Sequence, residues 1–214
     1  MFSVIFDMDG TLLDTQRIAI PAWEYAGERQ GVKGMGEHVA FVCGMNKAGW
    51  SAYIAEKFPT IDVDTFNKEH REYMVKNLKV EYKTGAVELL EFLKKNNVKI
   101  GLASGSSEES VNHHLKEVDA FKYFDAIVPG TMVEKGKPEP DIFLLAAEKL
   151  GVAPETCFVF EDSPNGIISG YRAGMKCIGV PDIASFNQET KKMMFAEIEN
   201  LAEAIELLKP YIED

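Results

Sequence analysis

Apolar side chains open the chain as a short block and later recur in two different rhythms. Ser3-Val4-Ile5-Phe6 is a compact run rich in β-branched and aromatic residues, the signature of a buried strand. From about Gln16 to Leu78 the rhythm is helical. Trp23 and Tyr25 lie in one stretch, and Trp50, Tyr53, Ile54 and Phe58 recur at spacings of three and four in a second. Val63, Phe66, His70, Tyr73 and Met74 do so in a third, while Gly31, Gly34, Gly36 and Gly44 punctuate the space between the first two. Aromatic stripes of this kind are expected to be core rather than ligand contacts.

From Gly85 onward helix and strand patterns alternate. Ala86 to Asn96 carries Val87, Leu90 and Leu93 on one helical face, and Val98 to Ala103 reads as a strand ending at Ser104-Gly105-Ser106. Ser106-Ser107-Glu108-Glu109 fits a capping box ahead of Val111, Leu115 and Val118. Ala126-Ile127-Val128 is a short strand, and a helix runs from Pro140 to a closing Gly151. Cys157 to Phe160 is a strand ending in Glu161-Asp162, followed by a helix from Ser163 to Ala173 and a strand from Lys176 to Val180. Leu201, Ile205 and Leu208 mark a last helix. Strands alternating with helices predict an α/β fold with a doubly wound parallel sheet, here with a helical insert after the first strand.

Composition narrows the function classes. At 214 residues the chain suits one large domain, or a core with a smaller insert, and can bury a substantial core. The formal net charge is −11 and no Lys/Arg block stands out, so nucleic acid is not an expected partner. An acidic protein that handles anions must focus positive charge locally, through a metal or a few lysines. Cys43, Cys157 and Cys177 form no C-x-x-C pair, which argues against a disulfide framework or zinc site and for a reducing, cytoplasmic setting. Asp7 interrupts the first apolar run, so no signal peptide is expected. No run approaches the roughly 20 apolar residues of a membrane span.

Chemistry concentrates at predicted strand ends. Asp7-Met8-Asp9-Gly10-Thr11 sets two carboxylates one residue apart beyond the first strand, where Gly10 allows a sharp turn. Close carboxylates repel and call for a cation or a shared proton. Ser104-Gly105 and Glu161-Asp162 end two further strands, and Lys137 lies in a loop just before a helix. Taken singly, each has a plain alternative: an acidic surface turn, a strand-to-helix turn, a solvated lysine, a helix cap. Together, on the carboxyl edge of one sheet, they suit a phosphate held against Mg²⁺, which takes one or two carboxylates plus a phosphate oxygen. Lys137 and Ser104 can grip the remaining phosphoryl oxygens.

These residues, with Pro138, Ser163 and Gly166, resemble in order and spacing the haloacid dehalogenase superfamily of phosphotransferases over nearly the whole chain. The nearest branch contains β-phosphoglucomutase and small sugar-phosphate phosphatases. The resemblance implies a Rossmann-like catalytic core, residues 1–15 and 80–214, and a small all-helical cap, residues 16–79, that sets specificity. It implies that Asp7 is the nucleophile and Asp9 the general acid and base. It implies a metal held by Asp7, the Asp9 backbone carbonyl and Asp162, with Glu161 a ligand or a ligand's partner. Ser104, the Gly105 N–H and Lys137 would hold the phosphoryl oxygens.

Some positions depart from the branch. Lys83-Thr84-Gly85 stands where a Pro-Gly pair is usual, and Thr131-Met132 where an acidic pair often stands. Ala19 occupies the place of a mutase histidine, and Lys47 that of a phosphate-gripping arginine. The expected activity is therefore a Mg²⁺-dependent phosphatase acting on a small phosphorylated metabolite, a sugar phosphate. A β-phosphoglucomutase-type phosphomutase is the alternative. A receiver-like phospho-switch is a third reading, disfavoured because a long-lived acyl phosphate needs no general acid beside it. Hinges are expected near Asp14–Thr15 and Lys79–Lys83.

Overall fold

A computed structural model of the chain describes residues 2–213. Six strands form one sheet in the order β3-β2-β1-β4-β5-β6. They are β1 (Ser3–Phe6), β2 (Lys99–Ser104), β3 (Ala126–Pro129), β4 (Cys157–Glu161), β5 (Lys176–Gly179) and β6 (Met194–Glu197), and every neighbouring pair is parallel. The chain winds outward from β1 to β3, then crosses to β4 and winds outward the other way. That reversal between β1 and β4 is where an open parallel sheet offers a crevice.

Alternation along each strand divides the core into two layers. Val4 and Phe6 face one side with Ile100, Leu102, Phe158 and Phe160. There they meet Leu89, Leu90 and Leu93 of α5 (Ala86–Lys95) and Leu115 of α6 (Glu108–Glu117). Ile5 faces the other side with Val128, Val159, Cys157 and Cys177, against Phe143 and Ala146 of α7 (Asp141–Leu150) and Ile167 of α8 (Pro164–Arg172). The last two cysteines are thus small core residues.

Between β1 and β2 lie α1 (Ala19–Glu28), α2 (Val39–Val42), α3 (Lys47–Lys57) and α4 (Val63–Asn77). They enclose a separate apolar cluster of Trp23, Met35, Val42, Ile54 and Phe66, and Ala184 from the loop after β5 joins it. Asn46 and Asp62 cap α3 and α4 by accepting from Gly49 N and Thr65 N. The two passages of chain between insert and sheet run side by side. Asp14 N donates to Glu81 O at 2.8 Å and Lys83 N to Leu12 O at 2.9 Å.

The structure departs from the sequence reading in four places. Tyr25 is exposed and packs on Tyr73 with ring centroids 5.1 Å apart, outside the insert's core. Leu89 joins Leu90 and Leu93 on the buried face of α5, where Val87 was expected. The helical cap of α6 is Ser107, whose hydroxyl accepts from Ser110 N, so the expected box is displaced by one residue. Beyond β5 the sequence pattern gave only one helix. The structure adds α9 (Gln188–Lys191) and edge strand β6 ahead of α10 (Glu203–Leu208), with α11 (Pro210–Glu213) after it. Half-exposed Met194-Phe195-Ala196-Glu197 lacks the apolar density that marks a buried strand.

Candidate active site

Because β1 and β4 are neighbours, the residues that follow them leave the sheet together. Asp7 N extends the ladder by donating to Phe160 O at 3.0 Å. Asp7, Glu161 and Asp162 each present a carboxylate oxygen to one point, all within 4.8 Å of one another. Lys137 reaches that point from the loop before α7. Its ammonium donates to Asp7 Oδ1 at 2.5 Å, Glu161 Oε1 at 2.6 Å and Ala103 O at 3.1 Å. All four side chains are buried.

One ammonium cannot neutralise three carboxylates. Burial is the main force on Asp7, and it outweighs Lys137, so the Asp7 carboxyl is pushed up to about 8. Asp162 is raised for the same reason, with Glu161 and Asp7 adding repulsion. Burial alone would lower Lys137, but Asp7 and Glu161 beside it hold it above its ordinary value, so it stays charged. Glu161 is also pinned from its other oxygen by Ser163, through N–H at 3.0 Å and hydroxyl at 2.9 Å. A Cβ on Gly166 would overlap the Glu161 carboxyl, so the helix start must be glycine there.

Gly10 turns the chain with φ +86°, and a Cβ there would come within 2.6 Å of Asp162 Oδ2. Thr11 Oγ1 donates to Asp162 Oδ1 at 3.0 Å. Asp9 faces away from the acid cluster. Its carboxylate accepts from Thr15 Oγ1 at 2.6 Å, Ser106 Oγ at 2.7 Å and Ser104 Oγ at 3.1 Å. His114 Nδ1, buried and without a hydrogen-bond partner, lies 3.9 Å from Asp9 Oδ1. The Asp9 carbonyl points back toward Asp162, both joined to Gln16 Nε2, at 2.7 and 2.8 Å.

The insert closes this edge. A Cβ on Gly105 would meet Met45 O at 2.9 Å, and one on Gly136 would meet Asn46 Nδ2 at 2.6 Å. Asn165 Nδ2 donates to Cys43 O at 3.0 Å. Gly44 (φ +80°) lies against Ser163. Lys47 is exposed at the start of α3 and enters no ion pair among the described residues.

Asp7, Asp9, Ser104, Gly105, Lys137, Glu161 and Asp162 therefore all fall in one region, whereas Lys47 makes no contact with them among the described hydrogen bonds and ion pairs. Ser104 spends its hydroxyl on Asp9 here. Thr15, Gln16, Ser106 and His114 were missed. Thr15 sits in the hinge that the sequence marks and Gln16 directly after it, at the start of the insert, while Ser106 reads as part of a helix cap. The donor set around Asp7, Asp162 and the Asp9 carbonyl is all oxygen, and a single ammonium faces three buried acids. That is the chemistry of a divalent-metal site.

The family described as haloacid dehalogenase-like hydrolase matches residues 4–180. A phosphorylated carbohydrates phosphatase from Thermotoga maritima is 34% identical over 182 residues, covering 83% of this chain and 84% of its own. A beta-phosphoglucomutase from Bacillus subtilis is 33% identical over 195 residues, covering 84% of this chain and 83% of its own. A crystal structure of beta-phosphoglucomutase from Clostridium difficile superposes with TM-score 0.83 at 26% identity, covering 100% of this chain and 97% of that one.

Proposed function

The chain belongs to the haloacid dehalogenase-like hydrolase family, and we propose that it removes the phosphoryl group from a small phosphorylated metabolite, a sugar phosphate, with Mg²⁺ bound. The observation that carries this is the convergence of Asp7, Glu161, Asp162 and Lys137, with the Asp9 carboxyl held apart from them. Mg²⁺ would be held by Asp7, the Asp9 carbonyl and Asp162, and Glu161 serves as the partner of Lys137 and Ser163. When bound, the ion supplies charge that offsets the repulsion between Asp7 and an anionic phosphoryl group.

Asp7 attacks phosphorus, and the bond to the leaving oxygen breaks as the aspartyl phosphate forms. Lys137, which touches Asp7, neutralises charge on the transferred group, and the Gly105 N–H and Ser104 hydroxyl hold its oxygens once Ser104 releases Asp9. Asp9 gives its proton to the leaving oxygen, then takes one from the water that cleaves the intermediate. Thr15, on the hinge, ties the position of Asp9 to that of the insert. Residues 16–79 act as the cap over a catalytic core of residues 1–15 and 80–214, and no macromolecular partner is invoked. Three buried free cysteines suit a reducing cytoplasm.

Asp7→Asn should lower hydrolysis of p-nitrophenyl phosphate with Mg²⁺ by at least about a thousandfold. Full activity in that variant would remove the nucleophile. The similarity to a beta-phosphoglucomutase keeps phosphomutase as a second reading, and Ala19 counts against it. NMR of β-glucose 1-phosphate decides: glucose 6-phosphate favours the mutase, and inorganic phosphate alone favours the phosphatase.

A further inference from the structure

Gln16 makes a contact set that catalysis as described does not use. It is buried at the start of the insert. Its Nε2 carries two hydrogens and meets two acceptors, the Asp9 carbonyl at 2.7 Å and Asp162 Oδ2 at 2.8 Å. Both are oxygens assigned above to the cation. The other Asp162 oxygen already accepts from Thr11. Behind Gln16, its Oε1 accepts from the Cys43 thiol at 3.0 Å, which fixes the amide with its nitrogen toward the acids. Burial holds Cys43 well above the usual thiol range, and the neighbouring carboxylates add to this, so it stays an S–H donor.

We propose that Gln16 is an internal competitor for the metal site. Its amide N–H₂ offers the Asp9 carbonyl and Asp162 a neutral substitute for the ion, and it must release both oxygens before they can ligate. Gln16 thereby sets how much free divalent ion the protein needs. Gln16 also lies directly after Thr15 and touches Cys43 of the closing segment. Release of the oxygens is thus mechanically joined to the hinge. This inference rests on the metal-site reading above and adds to it a residue that weakens binding.

The test is Mn²⁺ binding followed by electron paramagnetic resonance on the full chain. It compares wild type, Gln16→Met, Gln16→Ala and, as a control, Asp162→Asn. Gln16→Met keeps length and packing but has no N–H to donate. Both Gln16 variants should bind Mn²⁺ about tenfold more tightly than wild type, a difference of about 1.4 kcal/mol. Thermal melts without ion confirm that each variant folds. A packing role alone would lower the Tm and leave the Mn²⁺ affinity unchanged, which would overturn the proposal. Weaker binding would also overturn it, by making Gln16 a ligand. If wild type and Asp162→Asn both show no saturable binding, the metal-site reading itself falls.

Discussion

Lys137→Met removes the only positive charge that touches the acid cluster among the described residues. Methionine can fill the same space against the Phe143 ring, over which Nζ lies 4.8 Å from the centroid. What is lost is an ammonium 2.5 Å from Asp7 and 2.6 Å from Glu161, all three groups out of contact with water. Breaking a buried pair by removing one partner costs about 3–5 kcal/mol, since the remaining charge is uncompensated. For a chain of this size each kcal/mol moves the Tm by about 2–4 °C, so a fall of roughly 6–20 °C is expected without divalent ion. Circular-dichroism melts at pH 8 measure it. Without Lys137, which lowers it, the Asp7 carboxyl rises above about 8, so the loss should grow as the pH is raised from 8 to 9. Adding Glu161→Gln to Lys137→Met should recover part of it, as the two sites are in contact. A Lys137→Met protein melting within about 2 °C of wild type at pH 8 would refute the charge accounting.

The hydroxyl assignments at β2 divide two adjacent serines. Ser107→Ala should cost about 1 kcal/mol of stability through the lost cap and leave kcat/KM unchanged, whereas Ser106→Ala should lower kcat/KM and barely move the Tm. The reverse result would restore the original box. Gly44→Ala puts a side chain at φ +80° against Ser163. It should reduce kcat/KM about tenfold or more by holding the insert off the strand ends, and lower the Tm by roughly 2–8 °C through a backbone cost of about 1–2 kcal/mol. His70 packs against Trp50 and Phe66, and burial lowers it to about 4. Below its unfolded value the unfolded chain binds a proton that the folded one refuses. Stability is therefore full above about pH 6.5 and falls as the pH drops toward 4, by at most about 3 kcal/mol. Urea titrations of wild type and His70→Phe at pH 7 and 4.5 should show a smaller pH effect in the variant.

The residues that carried their own signal were legible in the sequence. Asp7, Asp162 and Lys137 each lie at the end of a strand or the start of a helix with strong periodicity, and the winding rule made them neighbours. Alternation of strand and helix gave the parallel, doubly wound sheet, while the order β3-β2-β1-β4-β5-β6 is visible only in the structure. What escaped was local geometry a pattern cannot express. Ser106 and Ser107 are chemically equivalent, and only the backbone decides which caps the helix and which faces Asp9. Gln16 stands just after the hinge, at the edge of the helical rhythm, so nothing in the sequence aimed its amide at Asp162. Tyr25 fell on the wrong side because aromatic spacing does not tell a core stripe from its edge. The strand β6 was missed because an edge strand with alternating exposed residues has little apolar density.

Ala184, from the loop after β5, is seated among the apolar side chains of the insert, and Ile183 packs beside it. Swinging the insert away would wet that patch, so opening carries the cost of exposing Ala184 and Ile183. The apparent substrate Kd is then the intrinsic Kd divided by the open fraction. Polar substitutions at residue 184 should behave as loosened latches, trading tightness of the shut form for faster turnover.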